Sequence, residues 1–180
     1  MALTREEAKT VFLKGEHIVY GSYGLCEIME VGQSPLDASD GRTFFTLRPV
    51  YAPKGSVIFT PVENEAVLKR APMTREEANA LLDKALTLPT IAVEKEKYRR
   101  EIYRSALQKA DPELLVSILR TVLERRAYMS RMGRRLTDAD TDYEKKARDN
   151  LVGELSLALE LSEKETSQML ERLLGAEGLY

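Results

Sequence analysis

Residues 111–133 read DPELLVSILRTVLERRAYMSRMG, and the fold is read outward from this stretch. Asp111 suits an N-cap because its carboxylate can accept a helix N–H that has no partner. Pro112 fits the first helical position, where no N–H is needed, and Glu113 lies at the positive end of the helix dipole. Gly133 can adopt the left-handed conformation that stops a helix. Leu114, Leu115, Ile118, Leu119, Val122 and Leu123 recur at helical spacing and form one apolar stripe. Arg120, Arg125, Arg126 and Arg131 gather towards the C-terminal half, with Arg134 and Arg135 just beyond. One side of the helix therefore wants a core and the other wants an anion.

The flanking sequence is also helical. Thr74 and Glu77 have capping-box spacing and start a helix whose Ala78, Leu81, Leu82 and Leu86 are expected to face inward, ending at Leu88-Pro89. Ile91 to Ala110 carries Tyr98, Ile102, Tyr103 and Leu107 together with Lys95, Lys97, Arg99, Arg100 and Arg104. Thr137 caps a long helix through Tyr143, Ala147, Leu151, Leu155 and Ala158, and Ser162 with Glu165 starts a last one that stops at Gly175. Short links between such helices predict a helical bundle over 71–180.

Upstream the pattern changes to period two. His17–Tyr20 and Leu25–Val31 read as strands around a Gly21-Ser22-Tyr23-Gly24 turn, followed by a polar loop over 32–41. Arg42–Tyr51, Ser56–Val62 and a short segment over 67–70 complete the set, and residues 1–11 read as a short helical extension with Thr4 and Glu7 in capping-box spacing. Short strands separated by Gly turns predict a small, strongly bent antiparallel sheet or SH3-like barrel over 1–70, giving an α+β chain of two domains. Among Tyr20, Tyr23, Phe44, Phe45, Tyr51 and Phe59, about half are expected to fill the core. Phe44 and Phe45 are adjacent and so point to opposite faces.

Composition narrows the function. The 180 residues are 43% hydrophobic and 31% charged with net charge −2, ordinary for a folded soluble protein. The average hides an asymmetry: residues 95–135 hold 12 Lys and Arg against 5 Asp and Glu, and residues 136–180 hold 5 against 11. No apolar run reaches the roughly 20 residues of a membrane span, and the opening MALTREEAKT is too charged for a secretory signal, so the cytoplasm is expected. Cys26 is the single cysteine and His17 the single histidine, which leaves no material for a thiolate or imidazole metal cluster. Cys26 reads as a small apolar filler and His17 as an ordinary strand residue. No Gly-rich phosphate loop or nucleophile elbow is present, so neither an enzyme nor a cofactor is expected.

The order of features resembles the CarD/CdnL family of bacterial transcription regulators, whose first module is shared with the transcription-repair coupling factor. The resemblance is carried by Lys14-Gly15-Glu16-His17-Ile18-Val19-Tyr20 with the Gly24 turn, by Phe45-Thr46-Leu47, and by Thr60-Pro61-Val62-Glu63-Asn64. Asp111-Pro112-Glu113-Leu114, a Gly-Arg-Arg-Leu turn over 133–136 and Leu151-Val152-Gly153-Glu154-Leu155-Ser156-Leu157-Ala158 extend it to about residue 160. It implies a Tudor-like N-terminal domain that binds the β subunit of RNA polymerase and a helical C-terminal domain that touches promoter DNA and modulates open-complex stability. Val57, Ile58, Phe59, Thr60 and Phe45 are then the expected polymerase-binding residues, because an open sheet edge such as the Val57–Thr60 strand can extend into a partner's sheet.

Lys97, Arg99, Arg100, Arg104, Arg125, Arg126, Arg131, Arg134 and Arg135 are the expected DNA contacts, weak and largely blind to sequence. Members of the family commonly place a tryptophan near the start of the helix that begins here around Ile91, as a wedge at the melted bubble. This chain has no Trp, and Tyr98 is the nearest substitute. Phe59 stands where some relatives have an arginine contact to polymerase. An alternative reading remains open at this point. The arginines equally fit a solvated face paired with the acidic C-terminal part or with Glu96, Glu101 and Glu124, in which case the chain is an adaptor whose helical module binds a protein.

Overall fold

The computed structural model describes residues 12–34, 36, 37 and 39–175; the predicted helix over 1–11 lies outside them. The chain divides into two compact units, Met1–Pro72 and Met73–Tyr180. Among the described residues the first is a five-stranded antiparallel sheet and the second carries five α-helices, so the class is mixed α and β as expected.

In the first unit β1 (His17–Tyr20), β2 (Leu25–Gln33), β3 (Thr43–Pro49), β4 (Ile58–Pro61) and β5 (Lys69–Arg70) lie in the order β4-β3-β2-β1-β5. The sheet is open, as the bent-sheet form of the expectation has it, and the closed barrel form is not confirmed. Closure requires the two outer strands to hydrogen-bond to each other, whereas among the described residues β4 pairs only with β3, and β5, two residues long, pairs only with β1. One face builds the core from Ile18, Tyr20, Cys26, Ile28, Phe45 and Leu47, with Phe12, Ile58, Val62 and Val67 packed against it. A register shift between Ile28 and Glu30 bends β2 across this core. Phe44 is buried as well, on the opposite face, with the Arg42 guanidinium 5.5 Å from its ring centre. Burial of each such Leu, Ile or Phe contributes about 1.5–3 kcal/mol.

The turn after β1 depends on Gly21. Its φ is +46°, its N–H bonds Leu68 O at 2.9 Å, and a Cβ there would meet Val67 Cγ1 at 2.7 Å. Only glycine permits this left-handed turn and the close approach of the β5 segment.

In the second unit α1 is Arg75–Lys84, α2 Arg99–Gln108, α3 Pro112–Arg131, α4 Asp138–Leu159 and α5 Glu163–Leu174. The caps fall where residue chemistry places them. Asp111 accepts from Glu113 N at 2.8 Å, and Thr74, Thr137 and Ser162 each close a capping box. Gly133 and Gly175 are left-handed, with φ +64° and +68°. The α3 stripe is buried at Leu115, Ile118, Leu119 and Val122, and α3 packs on α2 and α4, where Tyr103 and Leu107 and Leu151 and Leu155 are buried too. Leu114 and Leu123 are only half-buried.

Two helix limits differ from expectation. α1 stops at Lys84, so Leu86 is exposed and Ala85 takes the buried place. Residues 91–95 are irregular, a 3-10 turn occupies Glu96–Tyr98, and only then does α2 begin. The cause lies in α3: Thr121 Oγ1 accepts the Ile91 N–H at 2.7 Å, and Arg120 donates to Leu88 O. These backbone groups are satisfied by α3 side chains and not by a helix of their own.

Candidate partner edge and nucleic-acid surface

β4 is a terminal strand, and its register decides which groups it offers. Val62 N donates to Thr43 O at 2.9 Å, and the pairs continue as Phe45 with Thr60 and Leu47 with Ile58. Hydrogen-bonded and non-bonded pairs alternate in an antiparallel ladder, so the N–H and C=O of Phe59, which sits opposite Thr46, point away from β3. Pro61 has no N–H to offer and ends the strip.

The expected polymerase-binding residues therefore separate. Phe59 is 38% exposed on the edge strand, and Val57 is exposed but precedes β4. Ile58 packs on the core, and Phe45 is interior. Thr60 is 2% exposed, its Oγ1 accepting from Tyr20 Oη at 2.8 Å and from Asn64 Nδ2 at 3.1 Å. The side chains of Phe45 and Thr60 are thus structural, which corrects their assignment as surface contacts. The reason is the period-two alternation: within four residues only every second side chain can face outward.

The arginines divide more sharply. Arg99 is 6% exposed and donates to Glu96 from Nε at 3.1 Å and Nη2 at 2.7 Å, and to Tyr103 Oη at 2.8 Å. Arg125 donates from Nε to Asp140 Oδ2 at 2.9 Å and, through Nη1 and Nη2, to both carboxylate oxygens of Glu96 at 3.1 and 2.8 Å. Asp140 is fully buried at the first turn of α4, where it also closes the capping box with Thr137 and accepts from Tyr103 Oη at 3.3 Å. Arg126 pairs with buried Glu144 at 2.5 Å. Arg99, Arg125 and Arg126 are therefore cross-links between α2, α3 and α4, and their expected role as phosphate contacts is corrected. A desolvated guanidinium requires a carboxylate partner, and α4 supplies it.

Electrostatics follow the same geometry. Burial alone would raise the Asp140 carboxyl, but hydrogen bonds from Thr137 and Arg125 outweigh it and hold it below the ordinary range. Hydrogen bonding from Arg99 lowers Glu96, with the charges of Arg99 and Arg125 adding to the effect. Burial pushes the Tyr103 phenol up. The Cys26 thiol is pushed up to about 12 by burial, which leaves it protonated and poorly nucleophilic at neutral pH.

The remaining expected DNA contacts are exposed. Arg104 pairs with Glu101 at 2.5 Å, Arg100 lies 3.9 Å from Asp142, and Arg131 bonds Ala127 O on its own helix. Arg134 and Arg135, on the turn after α3, make no ion pair among the described residues. Lys97 and Tyr98 sit on the 3-10 turn, the Lys97 ammonium 4.8 Å from the Tyr98 ring centre and the ring 50% exposed. Tyr128 and Met132, 52% and 58% exposed, add apolar surface at the C-terminal end of α3.

Sequence reasoning did not single out Asp140, Glu144, Tyr128 or Met132. The acidic excess after residue 136 signalled that counter-charges existed, but not which arginines they would reach. Among the described residues no helix is long and apolar enough to cross a membrane. Neither the family models nor the curated proteins compared with this chain match it.

Proposed function

We propose that this chain is a non-enzymatic bacterial transcription regulator of CarD/CdnL type. In this reading the β4 edge docks on the β subunit of RNA polymerase, and the exposed cations of the helical unit hold promoter DNA and modulate the open complex. The observation that carries the reading is the outer edge of β4, which has no strand partner among the described residues, with the Phe59 main chain directed outward and its ring exposed. Such an edge can continue into another sheet, with main-chain bonds supplying affinity and flanking side chains supplying specificity. The Tudor-like likeness belongs to this proposal: an open sheet serves it through an edge that a closed barrel would not present.

Lys97, Arg100, Arg104, Arg131, Arg134 and Arg135 are the DNA contacts in this reading. Six cations bind duplex weakly at physiological salt, and tethering to docked polymerase raises their effective concentration. The test is retention of the polymerase β lobe by the full chain. Phe59→Ala is expected to weaken retention about tenfold while leaving folding intact, because an exposed aromatic anchor carries interface energy and little core energy. Failure of the unaltered chain to retain the lobe would remove the proposal.

A second reading, a protein adaptor that does not bind DNA, is favoured by the internal pairing of Arg99, Arg125 and Arg126. Salt titration separates the two: affinity that falls steeply with salt belongs to phosphate contacts, and an apolar groove contact lacks that dependence.

A further inference from the structure

The exposed turn Glu96-Lys97-Tyr98 is tied to the buried centre of the helical unit by a continuous set of charge-assisted bonds. Glu96 is 61% exposed at its side chain, yet its two oxygens accept from two guanidinium groups, Arg99 on one side and Arg125 on the other. Both arginines reach Asp140, Arg125 directly and Arg99 at 3.6 Å and through Tyr103 Oη. A lone surface ion pair would leave such a side chain free to wander. Two forked donors anchored on a buried carboxylate hold it in one place.

The residue after Glu96 is a lysine lying over the next residue's aromatic ring, and the Tyr98 N–H closes the turn onto Lys95 O at 3.0 Å. An ammonium and a half-exposed ring are thereby presented from a fixed backbone. A cation beside an aromatic face suits a phosphate flanked by an unstacked base, and holding both groups in advance reduces the ordering cost of contact.

We infer that Glu96 is a positioning residue: clamped by Arg99 and Arg125, it presets Lys97 and Tyr98 to contact nucleic acid at an unpaired base step. The inference rests on the DNA-contacting reading proposed above. It makes a prediction opposite in sign to simple electrostatics. A carboxylate on a phosphate-facing surface repels the ligand, so if charge alone mattered its removal would strengthen the complex. If Glu96 positions the turn, its removal weakens the complex.

The test uses the full chain with polymerase and promoter DNA, reading open-complex lifetime and amide hydrogen exchange at Tyr98. Tyr98→Ala is expected to shorten the lifetime. Glu96→Ala is expected to shorten it about fivefold and to speed exchange at Tyr98, and the double variant is expected to lose less than the two single losses combined, because Glu96 also presets Lys97 and only the Tyr98 part of its effect is shared. Glu96→Gln, which keeps an acceptor but loses the charge, should fall between Glu96→Ala and the parent, whereas a pure charge effect would make the two substitutions equal. An unchanged or longer lifetime for Glu96→Ala, or additive losses in the double variant, overturns the inference. So does a Tyr98→Ala chain that behaves like the parent. In that event an Arg134→Ala/Arg135→Ala chain with a shortened lifetime leaves the DNA reading standing, and one without effect removes it too.

Discussion

Arg125 and Arg126 lie in the third quarter of α3, and Arg131, Arg134 and Arg135 lie at and beyond its end, yet the two groups have opposite fates. The first pair is drawn inward onto Asp140 and Glu144 of α4. Arg134 and Arg135 stay exposed on the turn, where no carboxylate among the described residues reaches them. Within one basic run, availability to a ligand is decided by what the neighbouring helix brings opposite each residue. A cluster of like charges in a sequence is thus an upper bound on a binding surface, and the acidic partners subtract from it.

The largest effect expected from this contrast lies on the internal side. Asp140→Asn leaves Arg99 and Arg125 without their buried counter-charge and is expected to cost about 3 kcal/mol of stability, read by thermal or urea unfolding. Arg134→Ala and Arg135→Ala should each stay within about 0.5 kcal/mol of the parent in the same assay. Equal losses on both sides would erase the distinction.

On the external side the order reverses. The Arg134→Ala/Arg135→Ala chain is expected to bind promoter duplex about tenfold more weakly, with the slope of log affinity against log salt reduced by about two. Arg126→Gln should leave that slope unchanged, since its guanidinium is held by Glu144. Fluorescence anisotropy across a salt series measures both.

The smallest effect is in the pH dependence. Asp140 and Glu96 have carboxyls lowered in the folded state, by hydrogen bonds from Thr137 and Arg125 against the cost of burial in the first case and chiefly by Arg99 in the second. The stability they contribute is fully present above the ordinary carboxylate values near about 4 and is lost as pH falls below them through the lowered values. Unfolding midpoints measured from neutral pH to about pH 2 should therefore drop over that acid window. In Asp140→Asn the drop should be shallower, and an unchanged acid limb would deny the network its role.

Much of this was legible in advance, because it depends on neighbours in the chain. Asp111, Pro112, Thr74, Thr137 and Ser162 fixed the helix starts through bonds spanning two or three residues, and Gly133 and Gly175 fixed two ends. The strands around the Gly21 turn followed from alternation and from glycine's access to positive φ. The misreadings needed partners distant in sequence. Leu86 was expected inside because its spacing continued the α1 stripe, but the helix ended at Lys84. The helical spacing over 91–98 gave way because α3 side chains took up the backbone groups of Leu88 and Ile91.

Sequence alone determined the element types, the caps, the split into a strand-rich and a helix-rich unit, and the presence of a cationic run, since each depends on local bonding or on a count. Only the tertiary structure decided that the sheet stays open, that Phe59 faces out while Phe45 and Thr60 face in, and which arginines keep a free charge. Those outcomes depend on pairings between segments far apart in the chain, such as β4 with β3 and Arg125 with both Glu96 and Asp140. Whether a charge or an edge is available is settled by the geometry of its opposite partner, which no local pattern records.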